Sequence, residues 1–350
     1  MRKHIIGILY LIICCTNNLA AQIETLVLPY DATSLTSEQS ESNPSVLAYP
    51  TAIKDQIPEM RCTSTFTIDY DGHRVEFSIG NLQYQASTGL WRFAKHQWDF
   101  VGDASNGTVY ENGVKCNNAK ISKTYTGWID LFGWATSGWN TSSWNFDRQG
   151  YMPYSTSTNY ADYCPRGCEY DLIVVPGTYD RSQADWGVYN QIGPYTPGTW
   201  RTLTKEQWEH VLSRRANASS LVGKAIVNNV AGLILLPDEW MCPLGITFSP
   251  TTGSDDFSSN VYSLTEWKVL EKNGAIFLPF AGVRVGTTVT IGNSDGSNYW
   301  TSTHYTFWNG FQNDVQNAYT ICFGAYNQGQ GVYYQKKYYG CAVRLVRDVE

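Results

Sequence analysis

The chain has 350 residues, 43% of them hydrophobic, which is ample for one large core or two modest ones. Only 16% are charged, against roughly 25% in ordinary globular domains, while aromatic residues reach 14% and glycines number 30. Rings at that density exclude general disorder, and a net charge of −6 argues against nucleic acid and anionic membrane as partners.

The chain opens on Arg2, Lys3 and His4, followed by the apolar run "IIGILYLIICC", which is too short to span a bilayer. "TNNLAAQ" then supplies small residues, so residues 1–21 read as a signal peptide cleaved after Ala21. Lipoprotein processing at Cys14 or Cys15 is the alternative, disfavoured by the bulky residue before each. The expected location is therefore exported: periplasm, outer-membrane surface or medium. No later stretch has the length and apolarity of a membrane helix. Without Cys14 and Cys15 the nine cysteines fall to an odd number, so at least one thiol stays free or pairs between chains. Cys164 and Cys168 in "CPRGC" form the close pair, a candidate small-loop disulfide. Zinc is the weaker reading there, for lack of a second pair or a His cluster at ligand spacing.

Residues 22–60 are rich in Ser, Thr and Pro without period and read as a flexible tether; residues 61–348 read as a single domain. "TFTIDYDGHRVEF" alternates on both sides of Asp71-Gly72, a hairpin signal. The tryptophans of "GWIDLFGWATSGWNTSSWNF" follow neither strand nor helix period and are expected to pin irregular loops onto the domain. Two helices stand out. "TLTKEQWEHVLSRR" has Thr204 as N-cap with Gln207 closing a capping box, an inward stripe of Trp208, Val211 and Leu212, and a surface pair of Glu206 with His210. "YSLTEWKVLEKNG" repeats the pattern with Ser263, Glu266, Trp267 and Leu270. Between them "KAIVNNVAGLILLPDEW" reads as a hairpin, and everything after the second helix as strand and loop. Trp208, Trp267 and Trp300 sit in regular patterns and are expected in the core.

"GTWRTLTKEQWEHVL", "LILLPDEW", "FLPFAGVRVG", "NYWTSTHY" and "YYGCAVRLV" follow one another in that order. Over residues 196–347 this resembles the C-type-lectin-like fold of bacterial surface paralogues related to formylglycine-generating, sulfatase-modifying enzymes. "SIGNLQYQ…WRFAKHQWDFVGD" further resembles the amino-terminal half of exported proteins of gut-type bacteria that carry this domain. The resemblance implies an α+β fold with two short helices packed on antiparallel sheets and long loops. It brings three functional classes with it.

The formylglycine-forming oxidase needs two redox cysteines close together near the carboxyl end, whereas Cys322 and Cys341 lie far apart in sequence. Ile321 and Phe323 share one strand face and Cys322 the other, while Cys341 shares a face with Val343 and Leu345, opposite Arg344. If the apolar sets face the core, one cysteine points in and one out, so no bridge is expected. A calcium lectin needs six to eight oxygens. "WNGFQND" has Gly310 where a second ligand should stand, and Asp255, Asp256 and Asp295, which could hold an ion, read rather as solvated loop carboxylates, so no cofactor is expected and calcium is the weaker alternative. The third class is a metal-independent binder. The resemblance extends to variable proteins of diversity-generating retroelements, which vary the stretch between the "WTST"-like strand and the closing "VRLV"-like strand.

In that stretch His304, Tyr305, Phe307, Trp308, Asn309, Gln312, Asn313, Tyr326, Asn327, Tyr333 and Tyr334 interleave rings with amides. Tyr and Trp give contact area at low entropy cost and amides give adaptable hydrogen bonds, so these are the candidate ligand-binding residues. Loops of a ring-rich protein packing on themselves would show the same composition. No catalytic residue is assigned: His73 lies in a turn, His96 among aromatics, and His304 has no nucleophile at readable spacing. The expected partner is an extracellular protein or glycan; the alternatives are a structural subunit of a surface assembly or, less favoured, the oxidase or another enzyme.

Overall fold

The computed structural model describes residues 64–108, 110–111, 114–139, 151–163, 171–172, 182–250, 256–292, 296–308, 310, 313–324 and 330–349. The chain divides into two units, Met1–Ala48 and Tyr49–Glu350, and every described residue lies in the second. The expected leader, the tether and the Cys164–Cys168 disulfide fall outside the described residues.

The architecture is mixed α+β, mostly strands in open antiparallel sheets with few helices. In chain order the strands are β1 (Phe66–Thr67), β2 (Arg74–Phe77), β3 (Leu82–Gln85), β4 (Leu90–Phe93), β5 (Tyr110–Glu111), β6 (Val114–Lys115) and β7 (Trp128–Ile129). Helix α1 (Trp186–Tyr189) and helix α2 (Lys205–Glu209) precede β8 (Val222–Val227), β9 (Val230–Leu235) and β10 (Val261–Tyr262). Helix α3 (Leu264–Lys272) is followed by β11 (Ile276–Pro279), β12 (Val283–Val285), β13 (Thr288–Thr290), β14 (Ser297–Trp308), β15 (Asn313–Phe323), β16 (Gly331–Lys336) and β17 (Val346–Val349).

Local chemistry accounts for the hairpins and helix starts. Asp69 Oδ1 accepts the Asp71 and His73 N–H groups, each at 3.1 Å, and Gly72 takes φ +85°, which closes the β1–β2 turn. Asn228 and Asn229 join β8 to β9 with φ +48° and +63°, the left-handed pair that a two-residue hairpin requires. Both expected capping boxes form, at Thr204/Gln207 and Ser263/Glu266.

After Glu209 helix α2 widens: His210–Arg214 is a π-turn, closed by Arg215 N–H to the His210 carbonyl at 2.9 Å. The wider turn changes the phase of everything beyond it. His210, the first residue of that turn, is buried, edge-on to Tyr70 at 5.0 Å, which corrects the expected surface pair with Glu206. The surface pair is instead Lys205–Glu209, at 2.9 Å.

The described residues form two large cores and a small third cluster of Val101, Cys116 and Trp128. The sheet ordered β10-β8-β9-β11, with α3 contributing Trp267 and Leu270, belongs to the larger core. Trp91, Phe132, Trp134, Trp186, Trp200 and Trp300 make the second. The fully buried Trp134, whose Nε1 donates to the Thr301 carbonyl at 3.0 Å, pins its loop as the irregular spacing predicts. Trp128, by contrast, lies in the short strand β7. Strand β17 returns to pair with β2, placing Val346 opposite Phe77.

Asp130 is fully buried; its Oδ2 accepts Val101 N–H and its Oδ1 accepts Asn118 Nδ2–H, both at 2.8 Å. Burial pushes its carboxyl from 3.8 up to about 6. Between those values the folded chain holds a proton that the unfolded chain has released, so stability from this group falls as pH rises through that window. Asp130→Asn should gain on wild type by up to about 3 kcal/mol between pH 4 and 7. Urea unfolding at both pH values measures it; a pH-independent difference would contradict the assignment.

Candidate functional site

Strands β14 and β15 form a long hairpin, with β16 beside β15. Trp300 pairs with Thr320 at its base, His304 with Ala318, Tyr305 with Asn317, Phe307 with Asp314 and Trp308 with Asn313. Register shifts fall between Trp300 and His304 and between Tyr305 and Phe307, and such bulges re-aim the side chains beyond them. The inner half is core: Trp300, Ile321 and Phe323 are buried as alternation predicts, and so are Val343 and Leu345 of the following segment. The outer half leaves the core, with Phe307 54% and Trp308 61% exposed at the tip.

One face of the sheet carries a ladder of tyrosines. Tyr319 lies directly opposite Tyr334, and Tyr305 leans over to stack on Tyr334 at 4.2 Å and meet Tyr319 edge-on at 5.2 Å. Helix α2 docks on this face. Its Lys205 N–H donates to Thr303 Oγ1 at 3.1 Å, and Lys205 Nζ stands 5.2 Å from the Tyr319 ring centre. The bond to Glu209 pushes the Lys205 amine up, so it stays charged. Burial first, and then Tyr334, Tyr319 and Asp314, push the Tyr305 phenol up, so its ring presents a neutral hydroxyl at neutral pH.

His304 sits at the turn from inner to outer half. Its backbone N–H donates to Asp171 Oδ1 at 2.8 Å, and its Nδ1 lies 2.6 Å from the same oxygen. This contact fixes the ring and seals the outer side of β14.

The structure therefore brings His304, Tyr305, Phe307, Trp308, Asn313 and Tyr334 onto one projecting hairpin and its neighbour. Tyr333 lies on the opposite face, beside Thr320, and is half-buried. Asn309, Gln312, Tyr326 and Asn327 fall outside the described residues. Composition did not single out Tyr319, Lys205 or Asp171; the strand alternation from Tyr305 was the available signal for the first, and nothing local marks the other two.

Cys322 and Cys341 form no disulfide, as expected. The reason differs from the alternation argument. Neither cysteine points to solvent: both are buried, because β15 runs between the two cores, with Ile321 and Phe323 in the larger and Ala318 in the same core as Cys341. Burial pushes the Cys341 thiol well up, away from thiolate chemistry. His96 stacks on Trp98 at 4.6 Å, and His73 is held by Asp69 at 2.7 Å. Of the acidic loop residues, Asp256 is occupied by Ser258, whose N–H and Oγ–H donate to it at 2.7 and 2.6 Å, while Asp255 and Asp295 fall outside the described residues. Among the described residues no helix is long and apolar enough to cross a membrane.

Comparison of the chain with protein-family models, with curated proteins and with solved structures finds no match.

Proposed function

We propose that this is an exported binding module with a C-type-lectin-like layout, and that the β14–β15 hairpin presents its recognition surface without a metal. The observation that carries the proposal is the pair Phe307 and Trp308, adjacent and more than half exposed at the end of a strand whose root is fully buried. Two large rings in water gain nothing for the fold. They gain area once a partner covers them, at about 25 cal/mol per Å² of apolar surface buried. The Tyr305–Tyr334 stack lies behind them, and Asn313 adds an amide beside Trp308. Rings with adjacent amides suit a protein surface or the apolar face of a sugar.

The test is the full chain on a glycan array and on a panel of immobilised extracellular proteins, beside its Phe307→Ser/Trp308→Ser variant. Wild-type binding to either panel, lost in the variant with the melting temperature unchanged, is the expected result. No wild-type binding on both panels, or a variant that melts early, would overturn the proposal.

A further inference from the structure

Strand β16 has a hydrogen-bonding parity that the sequence does not display. Lys337 N–H donates to the Gln316 carbonyl directly opposite, at 2.9 Å, and the register runs from there without a shift to Cys322–Gly331. Antiparallel pairs alternate, so residues 331, 333 and 335 turn their N–H and C=O groups towards β15, while Val332, Tyr334 and Lys336 turn theirs away. The Lys336 carbonyl is taken by Tyr339 N–H at 2.8 Å. Among the described residues nothing bonds the backbone N–H or C=O of Val332 or Tyr334.

The opposite edge of the same sheet is closed. Trp300 N–H goes to Ala342, Ser302 N–H to Leu203, Leu172 N–H to the Ser302 carbonyl and His304 N–H to Asp171. Edges are ordinarily blunted by charge, proline or brevity. Strand β16 runs for six residues without proline, and its lysine is drawn back across the sheet, with Lys336 Nζ on Gln316 Oε1 at 3.1 Å.

A cavity of about 340 Å³ adjoins the start of β16, with Glu209, Leu212, Ser213 and Ser219 on one wall and Gln330–Val332 on the other. Gln330 Oε1 is shielded from solvent and has no hydrogen-bond donor. A buried acceptor without a donor is unfavourable, and a ligand N–H would recover the loss. The Glu209 carboxylate on the facing wall is already paired with Lys205 and Arg214, so it is chiefly the unmatched Gln330 acceptor that favours a side chain that donates.

We propose that the outer edge of β16 takes an extended peptide segment of a partner protein as an added strand, with a Lys, Arg, Gln or Asn side chain of that segment entering the cavity towards Gln330 and Glu209. The main-chain groups of Val332 and Tyr334 supply the pairing, and the cavity supplies the choice of residue. The site uses Tyr334 only through its main chain and uses none of the tip rings, so it does not depend on Phe307 or Trp308.

The probes are blocked heptapeptides of alternating Thr and Val whose central residue is Lys, Gln, Leu or Asp, titrated into the full chain by fluorescence anisotropy. The Lys and Gln peptides should bind about tenfold or more tightly than the Leu and Asp peptides, the worth of one recovered hydrogen bond. N-methylation of alternate amides should abolish binding in one parity and spare it in the other. Val332→Pro removes an outward N–H and leaves the ladder to β15 intact, so the folded variant should lose binding, with some fall in melting temperature because Val332 packs against the larger core. Gln330→Leu should erase the preference for Lys and Gln whether or not the proline variant folds. The Phe307→Ser/Trp308→Ser variant should bind the peptides as wild type does, which separates this site from the tip. Failure of all four peptides to bind, equal loss in both methylation parities, or a folded Val332→Pro variant that binds normally would overturn the proposal.

Discussion

Arg344→Met is expected to lower the free energy of unfolding by about 4 kcal/mol, one of the largest losses available to a single substitution in this chain. The guanidinium is fully buried and donates to three acceptors from two distant parts of the fold: Asn81 Oδ1 at 3.2 Å and the Ser78 carbonyl at 3.0 Å between β2 and β3, and the Phe277 carbonyl of β11 at 2.7 Å. Methionine keeps most of the volume and provides no donor, so three buried oxygens lose their partner at roughly 1–3 kcal/mol each, partly relieved by relaxation. Arg344→Lys should recover little, because one ammonium cannot replace a planar fork that reaches three directions. Equilibrium urea unfolding of the three proteins measures this. A loss below about 1 kcal/mol in the methionine variant would mean that water enters and satisfies the oxygens.

Arg344 also shows where sequence reading stops. Alternation in "GCAVRLV" places it opposite Cys341, Val343 and Leu345, and that much holds. A single strand cannot tell whether the opposite face meets water or a second layer, and here β2–β3 and β11 supply acceptors across it. Cys322 repeats the lesson, since β15 has a core on each side. Signals confined to a few residues were readable: the Thr204 and Ser263 capping boxes, the Asp-Gly and Asn-Asn hairpins, and the buried Trp208, Trp267 and Trp300 each depend on near neighbours. The π-turn at His210 was not, because nothing in the local spacing of the helix marks it. At the candidate site, the run of rings from Tyr305 to Trp308 was legible as composition. Asp171 meets His304 across 133 positions of sequence, and such a contact leaves no local mark. The parity of β16 was equally silent, because it is set by one backbone bond and not by side-chain pattern.

Two tryptophans on β14 turn this division between scaffold and surface into a measurement. Trp300 is fully buried, with Nε1–H donating to the Phe132 carbonyl at 2.6 Å and its backbone N–H to Ala342 at 3.0 Å. Trp300→Ala should cost about 4 kcal/mol through lost burial and an unfilled cavity at the hairpin root. Trp300→Phe should cost only about 1–2 kcal/mol: the Phe132 carbonyl still accepts Cys341 N–H at 3.0 Å, so the loss is mainly volume. Trp308, eight positions along the same strand and 61% exposed, should cost no more than about 0.5 kcal/mol as alanine. Urea unfolding of the three variants side by side checks the ranking. If Trp308→Ala destabilised the chain as much as Trp300→Ala, the tip rings would be packing elements, and the recognition surface assigned to them would have to be abandoned.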